Sequence, residues 1–137
     1  REDAYNRLAC VGLMARKLKI DTGEHTLATY SPGINVKDHI WLSGQIDVSV
    51  EGIEAQTRGT LAKIDELLEA ANSSKADLVK VTVLLADIGY YSTVNEIYSE
   101  WLEDGMPPSR AAYGVVDLPG GALIEIVCEA FRGCGGA

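Results

Sequence analysis

Two charged residues carry the clearest chemistry in this sequence. Arg110 follows the Pro107-Pro108-Ser109 loop at the start of a short apolar stretch, and Glu125 sits inside Leu123-Ile124-Glu125-Ile126-Val127. A guanidinium offers a planar fork of N–H donors that matches a carboxylate two bonds at a time. A carboxylate within reach can orient a water or carry a proton. Together they would suit a small anionic substrate attacked by water. The same two residues also fit a structural ion pair or two strand-edge positions, and spacing alone does not choose. Their segments are joined by Leu118-Pro119-Gly120-Gly121, which predicts an antiparallel hairpin holding them side by side. Counting inward from that turn sets Arg110 level with residues 127–131, so the hairpin need not pair it directly with Glu125.

Other chemistries find little support. His25 and His39 are the only histidines, with no His-x-x-x-His pair and no His/Asp cluster, so neither a zinc site nor a Ser-His-Asp machine is expected. Both histidines read as turn or strand-edge residues. No Walker loop and no Gly-x-Gly-x-x-Gly occurs, which leaves nucleotide binding without a motif. Cys10, Cys128 and Cys134 are odd in number and irregular in spacing. They form no disulfide framework, and a reduced compartment is the expectation. Trp41, Trp101, Tyr90 and Tyr91 sit at positions compatible with a core.

The elements that must position Arg110 and Glu125 emerge from periodicity. His39–Ile46 is short and rich in branched and aromatic residues, a strand pattern. Glu51–Ala71 places Ile53, Ala55, Leu61, Ile64, Leu67, Leu68 and Ala71 at helical spacing, with Glu51 and Glu54 in the first turn and Asn72-Ser73-Ser74 at its end. Leu78–Ala86 reads as a strand. Ser92–Leu102 repeats the helical period, with Ser92 or Thr93 as its cap. Arg110–Val116 and Ala122–Phe131 are two further strands. In the second, Ile124, Ile126, Cys128 and Ala130 alternate with Leu123, Glu125, Val127 and Glu129. Residues 1–25 are ambiguous: Ala4, Leu8, Val11 and Ala15 approach helical spacing, Leu13–Ile20 could be a strand, and Asp21-Thr22-Gly23-Glu24 is a turn pattern. The Gly-rich tail at 132–137 reads as flexible. The whole predicts a single α+β domain, a mixed sheet with two helices on one face.

The 137 residues carry 12 basic and 20 acidic side chains, a formal charge of −8. That suits one domain and argues against tracking a phosphate backbone, which needs a cationic surface. No run reaches the roughly 18 apolar residues of a membrane span, and no secretory signal pattern is read at the start.

Several segments together resemble the RidA/YjgF family of reactive-intermediate deaminases, also called endoribonuclease L-PSP. They are Tyr30, thirteen residues before Ser43; Ser43-Gly44-Gln45; Gln56-Thr57-Arg58; Val79-Lys80-Val81-Thr82-Val83 with Asp87; Val94-Asn95-Glu96-Ile97-Tyr98; Pro107-Pro108-Ser109-Arg110; Leu118-Pro119; and Ile124-Glu125-Ile126. Any one is weak, whereas their order and spacing are specific. The likeness spans about residues 28–131, leaving 1–27 as an N-terminal extension of the same domain. It implies a chorismate-mutase-like fold and a homotrimer with active sites in clefts between subunits. It also implies cofactor-independent hydrolysis of 2-imino and enamine acids, such as 2-aminoacrylate and 2-iminobutyrate, to 2-keto acids and ammonia. These intermediates escape from pyridoxal-phosphate enzymes, so the role is metabolite damage control. The expected setting is the cytoplasm or mitochondrial matrix, with no metal, nucleic acid or membrane partner.

Carried over residue by residue, the resemblance implies that Arg110 grips the substrate carboxylate and Glu125 positions the attacking water. A guanidinium near Glu125 would keep that carboxylate ionised. Tyr30, Ser43, Gly44 and Asn95 would line the pocket, Gly44 by letting backbone approach the ligand. Ala112 stands where the family often has cysteine; a backbone carbonyl there can still hold water, while any thiol chemistry would be absent. Pro119-Gly120-Gly121 departs from the family pattern at the pocket rim. The alternatives are an endoribonuclease or translation inhibitor, disfavoured by the charge and the missing histidine pair, and a non-catalytic trimer that binds small ligands. A dedicated pathway deaminase with another substrate is a further possibility within the family.

Overall fold

In the computed structural model, residues 15–103 and 105–136 are described. Eight main elements follow one another: β1 (Leu18–Ile20), β2 (Gly33–Val36), β3 (His39–Leu42), α1 (Ile53–Ala70), β4 (Leu78–Leu85), α2 (Tyr91–Leu102), β5 (Ser109–Gly114) and β6 (Ile124–Phe131). The strands form one sheet in the order β1-β2-β3-β6-β4-β5, parallel only between β4 and β5. That parallel pair needs a crossover, and α2 supplies it. The expected mixed α+β sheet with two helices is what the chain forms.

Alternation decides which face is covered. Val81, Val83 and Leu85 of β4 are buried, as are Ile124, Ile126, Cys128 and Ala130 of β6 and Ile40 and Leu42 of β3. Against them pack Leu61, Ile64, Leu67 and Leu68 of α1 and Val94, Ile97 and Tyr98 of α2. Burying each of these larger apolar side chains contributes about 2 kcal/mol. Cys128 is a core thiol, pushed up to about 12 by burial.

Several local expectations are corrected. Helix α1 begins at Ile53, so Glu51 lies before it, and Gly52 at φ 89° makes the entry. It ends as anticipated: Asn72 takes φ 55°, and Ser73 N–H reaches back to the Leu68 carbonyl at 2.8 Å. Neither Ser92 nor Thr93 caps α2. A 3₁₀ turn at Ile88–Tyr90 leads into it, and Asp87 Oδ1 accepts from Gly89 N–H at 2.8 Å. Strand β3 stops at Leu42, and only Gln45 regains sheet contact. The short β2 was not anticipated. Of the 13–20 segment the described residues begin at 15, and among them only Leu18–Ile20 is strand, while Ala4, Leu8, Val11 and Cys10 lie outside the described residues. The 132–136 tail is tethered: Gly133 and Gly135 N–H donate to the two Asp77 oxygens at 3.0 and 2.8 Å, and Arg132 reaches the Ala71 carbonyl at 2.7 Å. Trp41 and Tyr91 are 38% and 42% exposed, not core.

The largest correction concerns β5 and β6. They do not form a hairpin, because β4 runs between them, antiparallel to β6 and parallel to β5. Segment 115–123 connects them, longer than the two to five residues that usually close a hairpin.

Candidate active site

The register assigns Glu125 and Arg110 to opposite faces. Glu125 pairs with Leu84, on the face away from the helices. Arg110 pairs with Val81, whose side chain is buried beneath them. The expected site residues divide into two groups accordingly.

The first group lies along the segment that carries Gly44 against Glu125. Beyond β3 the chain turns back onto β6, where Gln45 and Ile126 exchange N–H···O bonds of 2.9 and 3.0 Å. This double bond fixes Gly44 against Glu125. A Cβ on Gly44 would overlap the Glu125 carboxylate oxygen and lie 2.8 Å from Cδ, so glycine is needed to seat the carboxylate rather than only to admit a ligand. Burial raises the Glu125 carboxyl above its ordinary value of 4.5. Among the described residues no guanidinium acts on it, contrary to the expectation that Arg110 would lower it. Ser43 is engaged structurally: its Oγ donates to the Ser31 carbonyl at 2.6 Å and its N–H to Pro32 at 2.9 Å. That clasp holds the segment carrying Tyr30. Tyr30 and Gly44 line a cleft of about 210 Å³ between the 22–32 segment and α1, together with Asp47, Lys63 and Glu66. Neither Arg110 nor Glu125 lines it.

A buried residue outside the expected site positions this group. Gln56, in the first turn of α1, donates through Nε2 to the Val50 carbonyl at 3.0 Å and accepts from Leu123 N–H at 2.9 Å. It ties the entry of α1 to the entry of β6, two residues ahead of Glu125. Its place in the Gln56-Thr57-Arg58 motif was the available signal.

The second group surrounds Arg110 on the edge strand β5, beneath α2. Arg110 Nη2 donates to Tyr91 Oη at 3.1 Å. Its Cζ lies 4.9 Å from the Tyr98 ring centre and 5.6 Å from that of Tyr91, within cation–π range. Tyr91, Asn95 and Tyr98 follow at i, i+4 and i+7, so they share one face of α2. The Asn95 Oδ1 and Tyr98 Oη atoms are buried without a hydrogen-bond partner among the described residues. Burial pushes the Tyr98 phenol up to about 12 despite the opposing Arg110 charge, so it stays neutral at ordinary pH. Ala112 lies two residues along β5 on the same face as Arg110, paired with Val83. Sequence reasoning read Tyr91 as compatible with the core and missed the contact of Tyr91 and Tyr98 with Arg110; helical spacing from Asn95 was the signal.

The arrangement therefore places a guanidinium held by tyrosines on one face and a half-buried carboxylate of raised pKa on the other. Two helices over one face of a six-stranded mixed sheet define a two-layer α+β domain, with the candidate residues divided between its two faces.

The chain belongs to the Rid/YjgF family: the family model described as Endoribonuclease L-PSP matches residues 23–132. It is 35% identical over 128 residues to a human protein named 2-iminobutanoate/2-iminopropanoate deaminase, covering 88% of this chain and 93% of that one. The Rattus norvegicus protein of the same name is 38% identical over 114 residues, covering 78% and 82%. Among solved structures, a Rid-family protein of unknown function from Yersinia pestis superimposes with a TM-score of 0.80. It shares 34% identity, over 84% of this chain and 98% of that one. Relatives named as deaminases support imine deamination as the family function.

Proposed function

We propose that this protein hydrolyses small 2-imino and enamine acids, such as 2-iminobutyrate and 2-aminoacrylate, to 2-keto acids and ammonia at sites shared between subunits of a homotrimer. The observation that carries this reading is the division of Arg110 and Glu125 between opposite faces of one sheet, with β4 between their strands. A second copy can supply the missing half to each. The helix-free face favours such packing, because it presents Ile34, Trp41, Leu84, Tyr113, Val127 and Phe131 alongside its charged residues.

Arg110 takes the substrate carboxylate in a two-bond grip and orients the imine carbon toward the neighbouring subunit's half-site. An enamine substrate first moves a proton from nitrogen to carbon to become the imine. Glu125 of the neighbour accepts a hydrogen bond from a water and turns its lone pair toward that carbon. The water oxygen bonds to carbon, one water proton passes to Glu125, the C=N pair moves to nitrogen, and nitrogen takes that proton. The hydroxyl proton of the resulting carbinolamine then passes by the same carboxylate to the amino nitrogen, C–N breaks, and ammonia and the 2-keto acid are released. Burial makes Glu125 a better proton acceptor than an exposed glutamate. Imines hydrolyse unaided, so holding water and carbon together can supply most of the acceleration.

The test is subunit complementation. Arg110→Ala and Glu125→Gln are each expected to be inactive. Refolded together in equal amounts, random assembly leaves about a quarter of shared sites with both intact groups. Keto-acid release should return to about that fraction of wild type. Two inactive variants that remain inactive after verified mixing would refute the shared site, and wild type no faster than buffer would refute the activity.

A further inference from the structure

We propose that Tyr91 is a carboxylate-recognition residue: its hydroxyl sets the orientation of the Arg110 guanidinium and adds a hydrogen-bond donor beside it. This rests on the proposed role of Arg110 as the substrate-carboxylate clamp. Arg110 leaves an edge strand with no acidic side chain recorded as its ion-pair partner among the described residues. What holds it is aromatic. The Tyr98 ring lies 4.9 Å from Cζ and gives the cation a face to rest on without neutralising it. Tyr91 fixes rotation in the plane by accepting from Nη2 at 3.1 Å.

The hydrogen-bond accounting then gives Tyr91 a second role. A guanidinium has five N–H donors, and Tyr91 takes one of them. The other donors leave a full edge for a two-bond carboxylate grip. Tyr91 accepts in this bond, so its own proton is not used there. A charged donor drawing on the phenol oxygen makes that O–H a stronger donor in turn. Tyr91 is also solvent-accessible, 42% exposed, so a ligand seated on Arg110 can meet it. A carboxylate oxygen held by Arg110 can accept the Tyr91 O–H as well, whereas a neutral amide in the same place makes weaker bonds to both groups. The Asn95 Oδ1, one turn along the same helix face, is buried without a hydrogen-bond partner among the described residues, so this side of α2 carries a second polar group awaiting a partner.

Tyr91→Phe removes only the hydroxyl. The probes are 2-oxobutyrate, the keto-acid product, and its neutral amide 2-oxobutyramide, with affinities measured by calorimetry and 2-iminobutyrate kinetics run in parallel. In Tyr91→Phe, 2-oxobutyrate affinity should fall about fivefold to tenfold, and its preference over the amide should fall by a similar factor. KM should rise with kcat nearly unchanged, and the melting temperature should hold. A merely structural role would not alter the acid-to-amide ratio. An unchanged ratio in a variant that folds as wild type would overturn the proposal, as would a wild type that fails to bind 2-oxobutyrate. Wild type that binds 2-oxobutyrate but does not accelerate hydrolysis would overturn the catalytic reading alone, and the ratio would still decide the role of Tyr91.

Discussion

Adding one carbon at Gly44 tests whether the position of Glu125 matters to activity. In Gly44→Ala the new Cβ would overlap a Glu125 carboxylate oxygen and stand 2.8 Å from Cδ and 3.1 Å from Cγ. Carbon atoms in contact normally keep about 3.5–4.0 Å, so the carboxyl group must retreat by about 1 Å. The colliding atoms are the end of a flexible side chain, while the Gln45–Ile126 bonds keep the surrounding backbone in place. The cost in fold stability should therefore stay near 1 kcal/mol, as for a modest overpacking. The cost in rate should be larger, because displacing a reacting group by about 1 Å can cost about 10²-fold. The assay is keto-acid release from 2-iminobutyrate generated in situ by a dehydratase, with thermal denaturation alongside. The expected result is kcat lowered about a hundredfold in a folded protein. Adding Glu125→Gln should then cost little more, since both changes remove one function. Full activity in Gly44→Ala, or independent additive losses in the double variant, would refute the assignment of Glu125 as the water-positioning group.

Three further outcomes follow from the same geometry. Because burial raises Glu125 above 4.5, and the water-orienting form is the carboxylate, kcat should fall on acidification through a pKa above that value. A pH–rate profile of wild type should therefore show an acid limb that Glu125→Gln lacks. Asp77 is held below 3.8, burial pushing it up and hydrogen bonds from Ser73, Gly133, Gly135 and Ser74 more than offsetting that. Its stabilisation is thus present above 3.8 and lost as pH falls through the lower folded value. Asp77→Asn should lose about 2 kcal/mol at neutral pH, read as a melting temperature that falls by several degrees and depends less on pH at the acid end. Trp41→Glu places a second carboxylate beside Glu129 on the helix-free face. It should leave folded, inactive single chains by sedimentation velocity and circular dichroism.

The helices and the long strands were legible because each carries a clean period. The alternation in 124–131 correctly assigned Glu125 and Cys128 to opposite faces of β6. Strand order was not legible, because nothing local says that β4 will insert between β5 and β6. Alternation gives a side chain its face only relative to its own strand; the relation between Arg110 and Glu125 needed the register of both against β4. Strand β2 was missed because Gly33-Ile34-Asn35-Val36 is short and its partners supply its pairing. Tyr91 looked like core because aromatic residues at helical spacing usually are. Its contact with Arg110 arises from the crossover that lays α2 over β5, a long-range event. The tail at 132–136 read as flexible from its glycines, but those glycines bring two backbone N–H groups onto Asp77.

The separation of Arg110 from Glu125 has a chemical consequence. Side by side in one chain, as a hairpin would have set them, a guanidinium and a carboxylate would pair, and the pairing would lower the carboxylate's basicity and occupy the guanidinium's fork. On opposite faces neither is spent on the other. Glu125 is raised by burial and lies against Gly44, and Arg110 is held by two tyrosines, with no acidic ion-pair partner among the described residues. In the proposed trimer each group would meet its counterpart across a gap that a small carboxylate substrate and a water could occupy. The substrate's negative charge would then answer Arg110, leaving Glu125 free to accept a proton from water. On that proposal, a fold that keeps the two charges apart within the chain preserves both for the reaction, and assembly becomes a condition of activity.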